Sequence, residues 1–126
     1  MGLVLDSGAL IAFDRGNRQV AALIEAARRR RERVVSSSGC VGQAWRGGGP
    51  RQARLARLLT GVDERPLDRA GSRGVGALCA RARRDDVVDA HVCTLTRDGD
   101  VMLTSDVDDL GHLLRSQGTT AEIIRC

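Results

Sequence analysis

Two acids placed at the ends of apolar strands are the chain's clearest chemical signal. Leu3-Val4-Leu5 runs directly into Asp6 and Ser7, and Val101-Met102-Leu103-Thr104-Ser105 runs into Asp106. In an open parallel sheet, ligands bind just beyond the carboxyl ends of the strands, so both carboxylates fall on the binding edge. Asp89 stands in the first turns of a helical pattern before the second of these strands, and Asp86 lies one turn earlier on the same face. Three or four carboxylates brought together repel one another unless a cation neutralises them. Hard oxygen ligands of this kind suit Mg²⁺ or Mn²⁺, and an ion so held activates water and steadies the charge on a phosphodiester under attack. The competing reading is structural. Asp is a preferred N-cap and acids are favoured in first helical turns, so Asp86, and Asp106 with Asp109 three residues on, each fit a capping role. Taken singly each acid is better explained as a cap; two strand-ending acids plus a helical one favour a metal site.

The elements that must position these acids alternate along the chain. After the strand ending in Asp6, Ser7 is placed to cap a helix with Ala9, Leu10 and Phe13 on its apolar face, and Arg15-Gly16 ends it. Asn17 caps a second helix whose stripe of Val20, Leu23, Ile24 and Ala27 has amphipathic spacing. That helix runs into Arg28 to Arg31, a basic last turn that complements the helix dipole and reads as a solvated face before it reads as an RNA contact. Val34 to Ser37 is the second strand, and Ser37 or Ser38 caps a helix carrying Val41, Gln43, Ala44 and Trp45. Gly47-Gly48-Gly49 follows that helix instead of linking a strand to one, which argues against a phosphate loop. Pro50 suits the first turn of a helix with Leu55, Leu58 and Leu59 inside and Arg51, Arg54 and Arg57 outside.

Val62 to Leu67 reads as a short edge strand because Pro66 interrupts it. Asp68 starts a helix carrying Val75, Leu78, Cys79 and Ala82, and Asp85 or Asp86 caps another carrying Val88, Val92 and Leu95. The strand Val101 to Thr104, a helix with Leu110, Leu113 and Leu114, and a last strand from Thr120 to Ile124 complete the series. Such alternation predicts an α/β fold, a three-layer α/β/α arrangement with a mostly parallel central sheet, in a single domain over residues 1–126.

Composition narrows the class. No apolar run approaches the ~20 residues needed to span a bilayer, and a strand pattern starts directly after Met1, so a cytoplasmic location is expected and no membrane role. Cys40, Cys79, Cys93 and Cys126 are widely spaced, which fits reduced thiols better than a zinc site or a disulfide framework. His91 and His112 have no ligand spacing. All 20 basic residues are Arg, a bias that GC-rich coding alone produces. The net charge of +4 is compatible with a nucleic-acid partner without establishing one. One Trp, one Phe and no Tyr argue against a base-stacking platform.

Leu3-Val4-Leu5-Asp6-Ser7 with Leu10-Ile11-Ala12, Asp89-Ala90, and Thr104-Ser105-Asp106 with Asp109-Leu110 together resemble the PIN domain, more narrowly the VapC-type toxins of bacterial toxin–antitoxin pairs. The resemblance covers essentially the whole chain; each motif is weak alone, and the ordered set is fairly specific. It implies an α/β/α fold, a Mg²⁺- or Mn²⁺-dependent ribonuclease acting on RNA, and a homodimer inhibited by a small cognate antitoxin. It assigns metal-binding carboxylates to Asp6, Asp89 and Asp106, and a pocket hydroxyl to Ser7. The family's second acid, usually Glu, falls at Gln43. Gln keeps an oxygen donor and removes one negative charge, so metal affinity or water activation should fall, with Asp86 a partial substitute. Arg46, one turn after Gln43, is placed either to meet an RNA phosphate or simply to end the helix. Two functions follow: a toxin ribonuclease using Asp6, Gln43, Asp89 and Asp106, or a catalytically weakened domain that binds RNA or an antitoxin without efficient cleavage. A receiver domain also gathers strand-end acids, but it requires a Lys and this chain has none.

Overall fold

A computed structural model describes residues 1–126. Five parallel strands form one sheet in the order β3-β2-β1-β4-β5, with β1 at Gly2–Leu5, β2 at Arg33–Ser37, β3 at Asp63–Arg65, β4 at Val101–Thr104 and β5 at Glu122–Arg125. Seven helices connect them: α1 (Ser7–Asp14), α2 (Arg18–Arg29), α3 (Ser38–Ala44), α4 (Ala53–Leu59), α5 (Arg69–Ala82), α6 (Val87–Thr94) and α7 (Val107–Gln117). α1 packs with α2, α3 and α4, while α5, α6 and α7 pack with one another, which gives the expected three-layer α/β/α arrangement. No helix is long and apolar enough to cross a membrane.

β1 is the centre of the sheet because its sequence is apolar on both faces. Val4 and Leu5 are fully buried, as are Met102 and Leu103 of the neighbouring β4. β3 is the opposite case: Asp63-Glu64-Arg65 is exposed throughout and forms a three-residue edge, shorter than the Val62 to Leu67 run because Pro66 has no N–H to donate. The last strand lies slightly later than expected, at Glu122–Arg125: Thr120 N–H is taken by Asp98 Oδ1 at the preceding turn, and the ladder to β4 begins with Glu122 N–H on the Asp100 carbonyl.

Caps set most boundaries, and they correct one assignment. The first helix is capped by Asp6, whose Oδ1 accepts from Ala9 N–H at 2.8 Å; Ser7 is already helical. Ser37 caps α3 and Asp86 caps α6, which resolves both two-way choices. Asn17 and Asp68 cap α2 and α5 as expected. Trp45 and Leu95 fall at C-caps, just outside their helices, and Pro50 opens a 3₁₀ turn (Pro50–Gln52) before α4 begins. The cysteines are unpaired; Cys40 and Cys93 are buried, whereas Cys79 is only partly so. His91 is buried, and His112 Nε2 lies 2.7 Å from the Ala82 carbonyl.

The chain leaves β1 towards β2 and β3, then crosses back to β4 and β5 on the other side. The reversal of direction lies between β1 and β4, where diverging connections leave a crevice at the carboxyl ends of the strands. Leu5 of β1 pairs in register with Leu103 of β4, so Asp6 and Thr104 face each other at that end.

Candidate metal centre

At the switch point, three helices begin side by side, and an aspartate caps each of them. Asp6 caps α1, Asp86 caps α6 and Asp106 caps α7. Capping and site formation are therefore not alternatives here: the local preference that starts each helix also delivers carboxylates to one end of the sheet.

Carboxylate oxygens of Asp89, Asp106 and Asp109 lie within 4.8 Å of one another. Asp89 and Asp109 are half-buried and Asp106 is exposed. Three hard, anionic oxygen donors at this separation can hold a metal ion. Asp109 Oδ1 is also paired with Arg84 Nε at 3.3 Å. This role for Asp109 was missed in the sequence, where its three-residue spacing from Asp106 read as a cap; its N–H does bond to Asp106 Oδ1, at 3.3 Å. The signal was present, because residues i and i+3 share a helix face and a capping pair also brings two carboxylates together.

Asp6 lies behind these three. It is 4% exposed, and both of its oxygens are engaged, Oδ1 by Ala9 N–H and Oδ2 by the Thr104 hydroxyl. Burial pushes its carboxyl above the usual range, the Thr104 hydroxyl and the Ala9 and Gly8 N–H groups pull it down, and the Asp106 charge pushes it up again. Asp89 is pushed up to about 6, by burial first and then by Asp86, Asp106, Asp6 and Asp109. Four neighbouring negative charges act on Asp89 and none of the ion pairs includes it, so it is left poorly neutralised, the condition a cation relieves.

Thr104 ties the site together. Its hydroxyl donates to Asp6 Oδ2 and accepts from Asp106 N–H at 2.8 Å, so one buried side chain fixes both strand-ending acids. Thr104→Val keeps the shape and removes both bonds. It should lower unfolding free energy by about 1–3 kcal/mol, seen as a reduced urea midpoint with unchanged slope, and Thr104→Ser should recover most of the loss. Gly8 acts through space alone. A Cβ there would stand 2.2 Å from Ser105 Oγ, 2.8 Å from Ser105 Cβ and 3.1 Å from Ser105 N, so α1 packs directly on the turn that carries Asp106.

Of the remaining sequence candidates, Asp86 acts on this cluster directly, whereas Gln43 and Arg46 line a separate cleft. Ser7 is half-buried in the first turn of α1, and its backbone N–H faces the Cys40 thiol, which burial holds above its usual range and so keeps protonated. Asp86 is exposed and acts on Asp89, through its cap to Asp89 N–H at 2.9 Å and through its charge. Gln43 is exposed near the end of α3 and lines a cleft of ≈ 240 Å³ with Ile11, Asp14, Arg15, Ala44, Arg46 and Gln52. Arg46 turns its guanidinium back onto the Gly42 and Trp45 carbonyls, at 3.2 and 2.7 Å, and so also ends its helix.

Gln52 was not singled out in the sequence, yet it organises this corner. Its Oε1 accepts from Arg46 N–H and Gly48 N–H, and its Nε2 donates to the Ala44 carbonyl and to Asp14 Oδ2. No sequence pattern marks such a residue, because all four partners come from loop and helix-end backbone or from a distant helix. The fold and site define an α/β/α domain with an acidic crevice at its switch point, where three carboxylates lie close enough to hold a cation. No family model matches the chain, and no curated protein does.

Proposed function

We propose that this protein is a metal-dependent endoribonuclease of the PIN-domain type, the toxin of a type II toxin–antitoxin pair, and that Mg²⁺ or Mn²⁺ is the ion its acids hold. The observation that carries this reading is the meeting of Asp89, Asp106 and Asp109 at the switch point with Asp6 directly behind them. The donor set is all carboxylate, which suits a hard cation and gives no foothold to a soft one. When bound, such an ion lowers the pKa of water and offsets charge on a phosphodiester oxygen.

The chain's own residues divide the remaining work. Asp89, Asp106 and Asp109 hold the ion, and Arg84 pairs with Asp109 Oδ1 at the rim. Asp6 adds a fixed negative charge whose orientation Thr104 and the Ala9 N–H set. Ser7 follows Asp6 in the first turn of α1, and Gln43 offers an amide to orient water or a substrate oxygen. RNA is the substrate in this reading; a small antitoxin, a homodimer and a cytoplasmic setting belong to the same proposal. The expected result is RNA cleavage that requires added Mg²⁺ or Mn²⁺ and disappears with Asp6→Ala. Cleavage at full rate in excess EDTA would overturn it.

One observation favours a second reading. Gln43 stands where the resembled family carries an acid, which points to a domain that binds RNA or an antitoxin and cuts poorly. On the first reading Asp109 makes up the missing charge, so the two readings separate by experiment. Gln43→Glu should raise the cleavage rate about tenfold or more, roughly 1.4 kcal/mol off the barrier, if the native site is weakened. An unchanged rate means that Asp109 already makes up the charge.

A further inference from the structure

α1 and α3 start directly after β1 and β2, pack side by side, and run away from the end of the sheet that carries the acids. In their first turns the Ser7 backbone faces the buried Cys40 thiol, which feels the charges of Asp6 and Asp89. One turn further along both helices, Ile11 and Gln43 line a common cleft, and beyond them come Asp14, Arg15 and Arg46. The cleft continues past Gly48 and Pro50 to Arg51, where a second hollow of ≈ 580 Å³ shares Asp14, Arg46 and Gln52 with the first. From Ser7 to Arg15 the distance along α1 is about 12 Å.

The charges at the outer end are uncompensated. Arg15, Arg46 and Arg51 are exposed and none forms an ion pair, and Asp14 is the one acid lining either hollow. The other basic cleft, lined by Arg33, Arg65 and Arg97, differs, since Asp100 and Asp63 already neutralise Arg33 and Arg65. Asp14 adds a second requirement. Its Oδ2 takes the Gln52 amide, but Oδ1 is buried and has no hydrogen-bond partner. An unpaired buried acceptor is costly and is relieved by an incoming N–H or O–H donor. A fitting ligand therefore carries anionic oxygens for the guanidinia and a donor beside them. A bare inorganic anion has only the first, whereas a nucleotide unit has both, since its base amino groups or ribose hydroxyl supply the donor.

We propose that this groove is a subsite for the single-stranded RNA of the reading above: phosphates a few nucleotides from the scissile bond sit on Arg15, Arg46 and Arg51, and the same stretch donates to Asp14. The inference rests on that reading for the identity of the strand and on the groove for its path. Gln43 then lies between cutting site and grip, which gives it a reason to be polar whether or not it touches the ion.

The test uses a fluorescein-labelled hexaribonucleotide and the full-length protein in EDTA at low salt, where binding is measured without turnover. Wild type should bind, with affinity falling as salt rises, and Arg15→Ala/Arg46→Ala should weaken binding at least about tenfold. The double variant should also flatten the log–log salt slope by about 1.4, two contacts at ~0.7 each on a single strand. Arg15→Lys/Arg46→Lys should restore the slope, which a purely structural role for the arginines would not do. Unchanged affinity and slope in the alanine variant overturn the inference. Equal competition by inorganic pyrophosphate overturns it too, because a simple anion site would then suffice, as does binding of an acidic peptide in place of RNA. The two proposals fail separately. Metal-dependent cleavage whose KM ignores the arginines removes the subsite and leaves the nuclease; arginine-dependent RNA binding without metal-dependent cleavage does the reverse.

Discussion

Asp89→Asn is expected to make the metal-free protein more stable and to abolish its response to metal. The side chain is held among Asp6, Asp86, Asp106 and Asp109, and its carboxyl is pushed up to about 6. A carboxyl raised in the folded state binds its proton more tightly there than in the unfolded chain. Between about pH 4 and 6 the native state thus holds more protons, so metal-free stability falls as pH rises through that window and levels off above it. Asn cannot ionise, so the variant's stability should be flatter across the same window, and its thermal midpoint at pH 7 should exceed wild type by a few degrees. Asp89 is only half-buried, so solvent screening limits the gain.

With Mn²⁺ the order reverses. At a concentration near 100 times its dissociation constant, a ligand that binds only the folded state stabilises it by about 2.7 kcal/mol. Wild type should show that rise and Asp89→Asn should not, its Mn²⁺ affinity having fallen by roughly 100-fold or more. Metal affinity of the wild type should itself weaken below about pH 6, where protons compete for Asp89. Thermal melts with and without Mn²⁺ at pH 5 and 7 read both effects. A variant that is less stable without metal, or that keeps its Mn²⁺ response, would remove Asp89 from the centre.

Gly8→Ala should damage the site without changing any acid. Inside an ordinary helix this substitution stabilises by about 0.5–1 kcal/mol. Here the new methyl would meet Ser105 Cβ and backbone N as well as Oγ, so a rotamer change alone cannot clear it. The turn after β4 must shift, at a typical overpacking cost of ~1–3 kcal/mol. Asp106 follows one residue later and caps α7, so the same shift should spread the carboxylates and weaken Mn²⁺ binding. Calorimetric titration of Mn²⁺, alongside urea unfolding, checks both losses. Gly8→Ala/Ser105→Gly removes two of the three close contacts and should recover much of each. Full Mn²⁺ affinity in the single variant would mean that the crevice does not depend on this close approach.

These two residues differ in how visible they are in the sequence. Asp89 can be found by pattern: it sits at the start of an apolar helix that precedes a strand ending in another acid. Gly8 cannot, because its requirement comes from Ser105, 97 positions away, across a contact that exists only once β1 and β4 are adjacent.

The sequence by itself determined the parts that depend on neighbours along the chain. Apolar runs made the strands, amphipathic stripes made the helices, and the aspartates and Asn17 started helices through bonds three residues away. It therefore announced Asp6 and Asp106 at strand ends and Asp89 beside them. The tertiary structure alone decided which oxygens meet. It drew Asp109 in with Asp89 and Asp106, set Asp6 behind them with its carboxylate occupied, and joined Asp6 to Asp106 through Thr104. It also left the arginines at the far end of the groove unpaired and used Gln52 to shape the corner that carries Arg46. The division has one physical reason. Caps and periodicity are local and can be read from spacing, whereas carboxylate convergence and close packing depend on strand order, which no local pattern encodes.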